Sequence, residues 1–181
     1  MSENELASLA GMMGMGVGLL IYLLMFLFAI AFYIVFVFPY YRMAKRQGLP
    51  HAWLVFVPVG NIWVMLNLPR REFNLFNKYI QTDRTKVFWH FLLFTLIASV
   101  LAVPFVFIIL IPVLGWLLYF AFCVALGVIT YGFTWRMYYD IYMTYGMQDN
   151  AMLLSILGMF VPIVSIVVAF MIMNREPDFN A

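Results

Sequence analysis

Long apolar runs dominate the pattern of hydrophobic and polar positions along this chain. One run extends from about Gly11 to Phe38, and a second extends from Val87 to about Thr134. A membrane-spanning helix needs roughly 17–25 apolar residues, so the first run predicts one span and the second is long enough for two. The proline and glycine of the stretch IPVLG, at 111–115, mark the turn between those two spans.

Two further apolar segments are interrupted by proline. The segment His51–Leu68 is short and carries Pro58 and Gly60, whereas Ala151–Met173 is long enough to span but has Pro162 at its middle. Each is predicted to be a re-entrant or short membrane segment, and a full crossing stays open for the second. The fold class is therefore an all-α integral membrane protein with three full transmembrane helices and two proline-broken segments.

Composition supports a membrane protein. Of 181 residues, 66% are hydrophobic and 10% are charged, whereas soluble domains are about half apolar and about a quarter charged. This length predicts a single membrane domain over 1–181. A lone cysteine, Cys123, excludes an intrachain disulfide. The N-terminal residues lack a basic n-region, so the first run is predicted to be a permanent span and not a signal peptide.

The basic residues predict the orientation. All ten can lie on one side of the membrane, which the positive-inside rule makes cytoplasmic. The N-terminus is then outside, and the segment 51–68 must enter from the cytoplasm and return there. The C-terminus is cytoplasmic if the segment 151–173 also returns, as the repeat described below favours, and outside if that segment spans. The ten basic residues are Arg42, Lys45, Arg46, Arg70, Arg71, Lys78, Arg84, Lys86, Arg136 and Arg175.

The stretch 69–86 between two of these basic clusters is predicted to be a cytoplasmic amphipathic elbow. Its apolar residues fall at helical spacing and would form one face of a short helix, against lipid headgroups or against the ends of the bundle. That face consists of Phe73, Phe76, Tyr79 and Ile80.

An internal repeat is predicted over the units 11–72 and 113–176. A Tyr-Tyr pair precedes a glycine by the same interval in both units, and an Arg-Glu pair follows a Val-Pro pair at the same two offsets. Such a parallel repeat would be related by an axis along the membrane normal. The corresponding positions are Gly48 and Gly146, Pro58 and Pro162, and Asn61 and Ser165.

The stretch Arg42–Met65 resembles a small bacterial membrane family of unknown function. In that family a basic span end is followed by a Gly-x-Pro-x-x-Trp-like turn, an apolar stretch and Pro-x-x-Asn. The resemblance implies a multi-pass protein of a bacterial inner (plasma) membrane, sometimes fused to a signal-peptidase-like enzyme, and it implies no activity. The Ser/Lys pair of such a peptidase is not found here. The matching residues are Lys45, Gly48, Pro50, Trp53, Pro58 and Asn61.

Three groups of residues are candidates for function. The first lies at the two proline breaks, where side chains either satisfy freed backbone groups or line a solute path. The second is a cytoplasmic rim, where a membrane enzyme would have its site and where an Arg and an Asp four residues apart can pair. The third is a small-residue face for helix contact. The residues at the proline breaks are Pro58, Gly60, Asn61, Pro162 and Ser165. The residues of the cytoplasmic rim are His51, His90, Arg136 and Asp140. The residues of the helix-contact face are Gly11, Gly14 and Gly18.

The expected function is non-enzymatic. Because the span interiors carry no charged residue, ion-coupled transport is disfavoured, and no catalytic or nucleotide-binding motif is found. We expect a subunit, scaffold or assembly partner of a larger membrane complex, with the lipid bilayer and a membrane protein or a second copy as partners. No cofactor, metal or nucleic acid is expected. The alternatives are a small transporter or channel for a neutral or hydrophobic solute, and a lipid-acting membrane enzyme.

Overall fold

The computed structural model describes the backbone of residues 3–179 and the side chains of residues 14–179. The chain divides into two units, Met1–Phe38 and Pro39–Ala181. Its elements are α1 (Glu3–Arg46), α2 (Pro58–Asn67), β1 (Phe73–Leu75), β2 (Tyr79–Gln81), α3 (Arg84–Ile108), α4 (Leu114–Thr144), α5 (Ala151–Phe160) and α6 (Pro162–Ile172), with 3-10 turns at Ala52–Phe56 and Gln148–Asn150.

Three of these helices are long and apolar enough to cross a membrane, namely α1, α3 and α4. The 25 residues of α3 extend about 37 Å at about 1.5 Å per residue, which exceeds the roughly 30 Å hydrocarbon core. No residue in the most apolar stretch of α3 is buried inside the protein, so this surface suits lipid. The prediction of three helices that could span a membrane is confirmed.

Helices α3 and α4 form an antiparallel pair around a tight turn. Phe91 stacks on Phe133 at 3.8 Å between ring centroids, and Phe105 stacks on Phe122 at 4.2 Å, so one helix ascends as the other descends. The turn lies where the proline and glycine of 111–115 predict it. A β-carbon on Gly115 would overlap the carbonyl oxygen of Ile108, which explains why a glycine stands there.

Both proline-broken segments fold back on themselves. A β-carbon built on Gly158 would lie 3.2 Å from that of Ser165, although seven residues of a continuous helix extend about 10 Å. One built on Gly60 would lie 3.1 Å from the β-carbon of Leu54, six residues earlier. The chain therefore reverses between the members of each pair.

The two reversals have the same local cause. Val57 and Val161 are both extended, and each is followed by a proline at the first position of the next helix, α2 or α6. Proline disfavours a helical conformation in the residue before it, and its own fixed φ suits a helix start. Each preceding helical turn therefore ends at the valine, and a new helix begins at Pro58 or Pro162.

The prediction of a short amphipathic helix within 69–86 is wrong, because this stretch contains a β-hairpin. Phe73 pairs with Gln81 and Leu75 pairs with Tyr79. In the turn, the Asn74 side-chain oxygen accepts the backbone N–H of Asn77 at 2.9 Å. Asparagine side chains of this kind stabilise tight turns and compete with helix formation, and that effect outweighs the apolar spacing.

The close approach at Gly60 generates a prediction. Because a β-carbon there would overlap the carbonyl oxygen of Leu54, Gly60→Ala should lower the free energy of unfolding by about 1–3 kcal/mol, as overpacking does. Thermal unfolding in mild detergent, followed by circular dichroism, measures this loss.

Gly127→Ala is the matched control. A β-carbon at Gly127 meets only a Tyr131 ring carbon, at 3.9 Å, so this variant should unfold like the parent protein. Equal stability of the Gly60 and Gly127 variants would contradict the tight reversal before α2.

Candidate functional site

The most enclosed ion pair among the described residues joins the start of α3 to the end of α4. Arg84 Nη2 donates a hydrogen bond to Asp140 Oδ2 at 2.6 Å, and the two side chains are 4% and 0% exposed. Burying a carboxylate is costly unless it is paired and hydrogen-bonded. Asp140 is therefore held in place by a partner 56 residues earlier in the chain.

A second guanidinium lies on the other oxygen of the same carboxylate. Arg136 Nη2 is 3.0 Å from Asp140 Oδ1, one helical turn earlier on α4. The ion pair that the four-residue spacing predicts is present, although it lacks the alignment of a hydrogen bond. Two arginines thus enclose one carboxylate.

Arg84 also ties the β-hairpin to this cluster. Its Nε donates to the carbonyl oxygen of Arg71 at 2.7 Å, and its guanidinium lies 5.3 Å from the centre of the Phe73 ring. The Phe73 ring in turn packs against Phe133 of α4 at 5.4 Å. One arginine therefore joins α3, α4 and the connection that leads into the hairpin.

The sequence pattern placed Arg84 among the cytoplasmic basic residues and did not indicate its partner. The position of Arg84 could have predicted an acidic partner, because a basic residue in the first turn of a helix lies at the positive end of the helix dipole. Arg84 follows the N-cap residue Asp83 directly. An arginine there requires compensation from elsewhere in the fold, and Asp140 supplies it.

The two histidines of the predicted rim do not join this cluster. His90 Nδ1 lies 2.5 Å from the hydroxyl of Tyr79. Burial raises the pKa of Tyr79, so this phenol stays protonated and can donate to an unprotonated imidazole. His51 is exposed and has a left-handed backbone, with φ of 59°. Within residues 14–179, no side-chain hydrogen bond or ion pair links it to His90, Arg136 or Asp140.

The polar residues at the two reversals have different surroundings. Ser165 Oγ donates to the carbonyl oxygen of Pro162 at 2.7 Å. Asn61 bonds through its backbone N–H to the carbonyl of Val57 at 2.8 Å. Its side-chain Oδ1 is buried and has no partner among the described residues. Ser165 thus stabilises its turn, and Asn61 retains an unused acceptor.

This arrangement of the rim is suited to holding helices together. Asp140 is enclosed by guanidinium groups and is 0% exposed, so it is not placed to exchange a proton with a substrate. Among the residues that the structure describes, no three His, Cys, Asp or Glu side chains are grouped to hold a metal ion. These contacts join α3, α4 and the hairpin through charged groups.

Comparison with protein-family models, with curated proteins and with solved structures finds no match to this chain. The resemblance of Arg42–Met65 to a small bacterial membrane family therefore stays a prediction.

The buried pair generates a stability prediction. Asp140→Asn leaves Arg84 buried without a counter-charge, and breaking such a pair costs about 3–5 kcal/mol. We expect that loss in the free energy of unfolding, measured in mild detergent by circular dichroism.

Asp83→Asn is the control. The ion pair of Asp83 with Lys86, at 4.0 Å, is exposed, and asparagine can keep the N-cap bonds to Thr85 and Lys86 because it caps a helix about as well as aspartate. This change should cost about 1 kcal/mol or less. Equal losses in the two variants would show that the buried pair does not hold the fold.

Proposed function

We propose that this chain is a non-enzymatic multi-pass membrane protein that acts as a subunit, scaffold or assembly partner of a larger membrane complex. The polar rim supports a structural role, since Asp140 forms ion pairs with both Arg84 and Arg136. His90 is bonded to Tyr79. These groups already serve the fold, which favours contact over catalysis.

The surface of the first helix is the observation that carries this proposal. Large apolar side chains from Met15 to Val35 are exposed, and β-carbons built on Gly14, Gly16 and Gly18 would meet nothing within 4 Å. Gly11, the other predicted member of the contact face, lies outside the residues whose surroundings are described. Small residues let a second helix approach closely in a membrane, where packing drives association. A partner helix, from another protein or a second copy, is the expected occupant.

We also propose that the two proline-broken segments are re-entrant. Helices α2 and α6 contain 10 and 11 residues, which extend about 15–17 Å, or about half of the roughly 30 Å hydrocarbon core. Their chain reversals at Val57 and Val161 support a return to the side of entry. Internal helical hydrogen bonds and serine or asparagine side chains can satisfy such a turn.

The parallel repeat is proposed on matching local geometry. Helices α1 and α4 end at Arg46 and Thr144, 98 positions apart, and Gly48 and Gly146 at the same interval have φ of 66° and 76°. Glycine adopts this conformation at helix ends without strain. The hydrogen bond between Gln47 and Tyr145, which are also 98 positions apart, suits two related segments that meet at an axis.

The proposed location is a bacterial inner (plasma) membrane, with the N-terminus outside and the C-terminus cytoplasmic. The positive-inside rule supports this orientation. The basic residues at Arg46, in the stretch 70–86 and at Arg175 all lie at or next to helix ends on the side proposed to be cytoplasmic. The family resemblance favours a bacterial source.

The subunit proposal predicts that disruption of the glycine face releases a partner. Positions 14 and 18 lie about 40° apart around a helix, whereas position 16 lies on the opposite face. A Gly14→Ile/Gly18→Ile variant should retain roughly a tenth or less of the co-purifying protein, as a lost helix contact of about 1.4 kcal/mol would produce. Gentle detergent extraction at native expression, followed by quantitative mass spectrometry, measures this.

Gly16→Ile is the matched control and should keep the partner. A parent protein that purifies as a lone monomer at native expression would contradict the proposal, and so would equal retention in all three proteins.

A further inference from the structure

A cavity of about 260 Å³ lies within the unit Pro39–Ala181. Three arginines from distant parts of the sequence line it: Arg46 at the end of α1, Arg70 after α2 and Arg175 after α6. Gln47 and Tyr145 contribute to the same wall. Three guanidinium groups in one cavity repel each other unless an anion compensates them.

The lining of this cavity contains three arginines and a single acidic residue, Glu176. The ion pairs described in the structure involve other residues. The cavity therefore has an excess of positive charge.

Backbone contacts hold two of the guanidinium groups in position. Arg46 Nη1 donates to the carbonyl oxygen of Met173 at 3.3 Å, and Arg175 Nη1 donates to that of Gly146 at 2.7 Å. Each of these bonds uses one of the five N–H donors of an arginine, so most donors remain for a ligand. Arg70 lies over the ring of Phe179, with 5.0 Å to its centre.

A buried phenol adds a neutral donor. Gln47 Nε2 donates to the hydroxyl oxygen of Tyr145 at 2.6 Å, so the phenolic hydrogen is available for another acceptor. Tyr145 is 1% exposed, and burial raises its pKa, which keeps the hydroxyl protonated. A donor of this kind favours an acceptor-rich ligand.

The C-terminal segment forms a fixed wall. The backbone N–H of Asp178 donates to the carbonyl oxygen of Thr144 at 2.7 Å, and the Arg175 bond to Gly146 lies close by in the chain. Residues 173–179 are therefore attached to the end of α4. Arg46 and Arg175 are hydrogen-bonded before any ligand arrives, which reduces the entropy lost on binding.

We propose that this cavity binds a phosphate group, carried by an anionic lipid headgroup or by a soluble phosphate. The planar guanidinium fork matches phosphate oxygens, and Tyr145 supplies one further donor. Basic residues next to membrane spans attract anionic lipids, and all three arginines follow apolar helices. This site does not depend on whether the chain is a subunit of a complex.

The full chain, purified in zwitterionic detergent and stripped of lipid, tests the proposal. Native mass spectrometry with added phosphatidylglycerol or phosphatidylcholine measures the lipid source. Titration with inorganic phosphate at constant ionic strength, followed by calorimetry, measures the soluble source. Arg46→Gln/Arg70→Gln/Arg175→Gln should weaken the observed binding by about tenfold or more.

Two further variants keep the test decisive. Arg70→Gln alone removes an exposed side chain that makes only a ring contact, so it should fold normally and still weaken binding severalfold. Arg42→Gln/Lys78→Gln/Lys86→Gln carries the same charge change on exposed residues outside the cavity and should bind like the parent protein.

Each outcome decides the question. If the parent protein and the control variant prefer phosphatidylglycerol and the cavity variants do not, the site is supported and its ligand is a lipid headgroup. The same pattern with inorganic phosphate alone supports it with a soluble ligand. Absence of binding to either probe, or equal loss in the cavity and control variants, overturns the proposal.

Discussion

The cost of placing charge or unpaired backbone in hydrocarbon governs this structure. Helices α3 and α4 are free of charge over most of their length and carry it at one end, where Arg84 and Lys86 begin one helix and Arg136 and Asp140 lie near the end of the other. Asp140 is buried there, and the Arg84 contact at 2.6 Å compensates it. Because that contact also reaches the hairpin connection, one ion pair organises the polar end of the described bundle.

The same cost accounts for the folded-back segments. A chain that reverses at a proline leaves backbone carbonyls without their helical partners. Ser165 donates within the first turn of α6, to the carbonyl oxygen of Pro162, and Gly158 lets the two arms approach closely. The turn before α2 relies on Gly60 for its close approach. Gly60, Gly158 and Ser165 therefore have a physical reason in the fold that needs no transported solute.

The local pattern of apolar and polar residues was sufficient to predict the spans, but it was not sufficient to predict the contacts between them. Run length alone predicted three helices that could cross, and the proline and glycine of 111–115 marked the turn between two of them. The hairpin was missed because the Asn74 side chain bonds its turn, an effect that apolar spacing does not record. Arg84 and Asp140 were not paired because 56 residues separate them. The arginine cavity likewise needs Arg46, Arg70 and Arg175 brought together by the fold.

Sidedness is the most direct test of the central claim that both folded-back segments return to the side from which they enter. Single cysteines at the exposed positions Asn77, Asn174 and Val113, on a Cys123→Ala background, can be labelled with a membrane-impermeant maleimide. In intact cells we predict labelling of position 113 alone, with positions 77 and 174 reacting only in inverted vesicles. Labelling of position 174 from outside would show that α5 and α6 cross the membrane, and it would contradict this account.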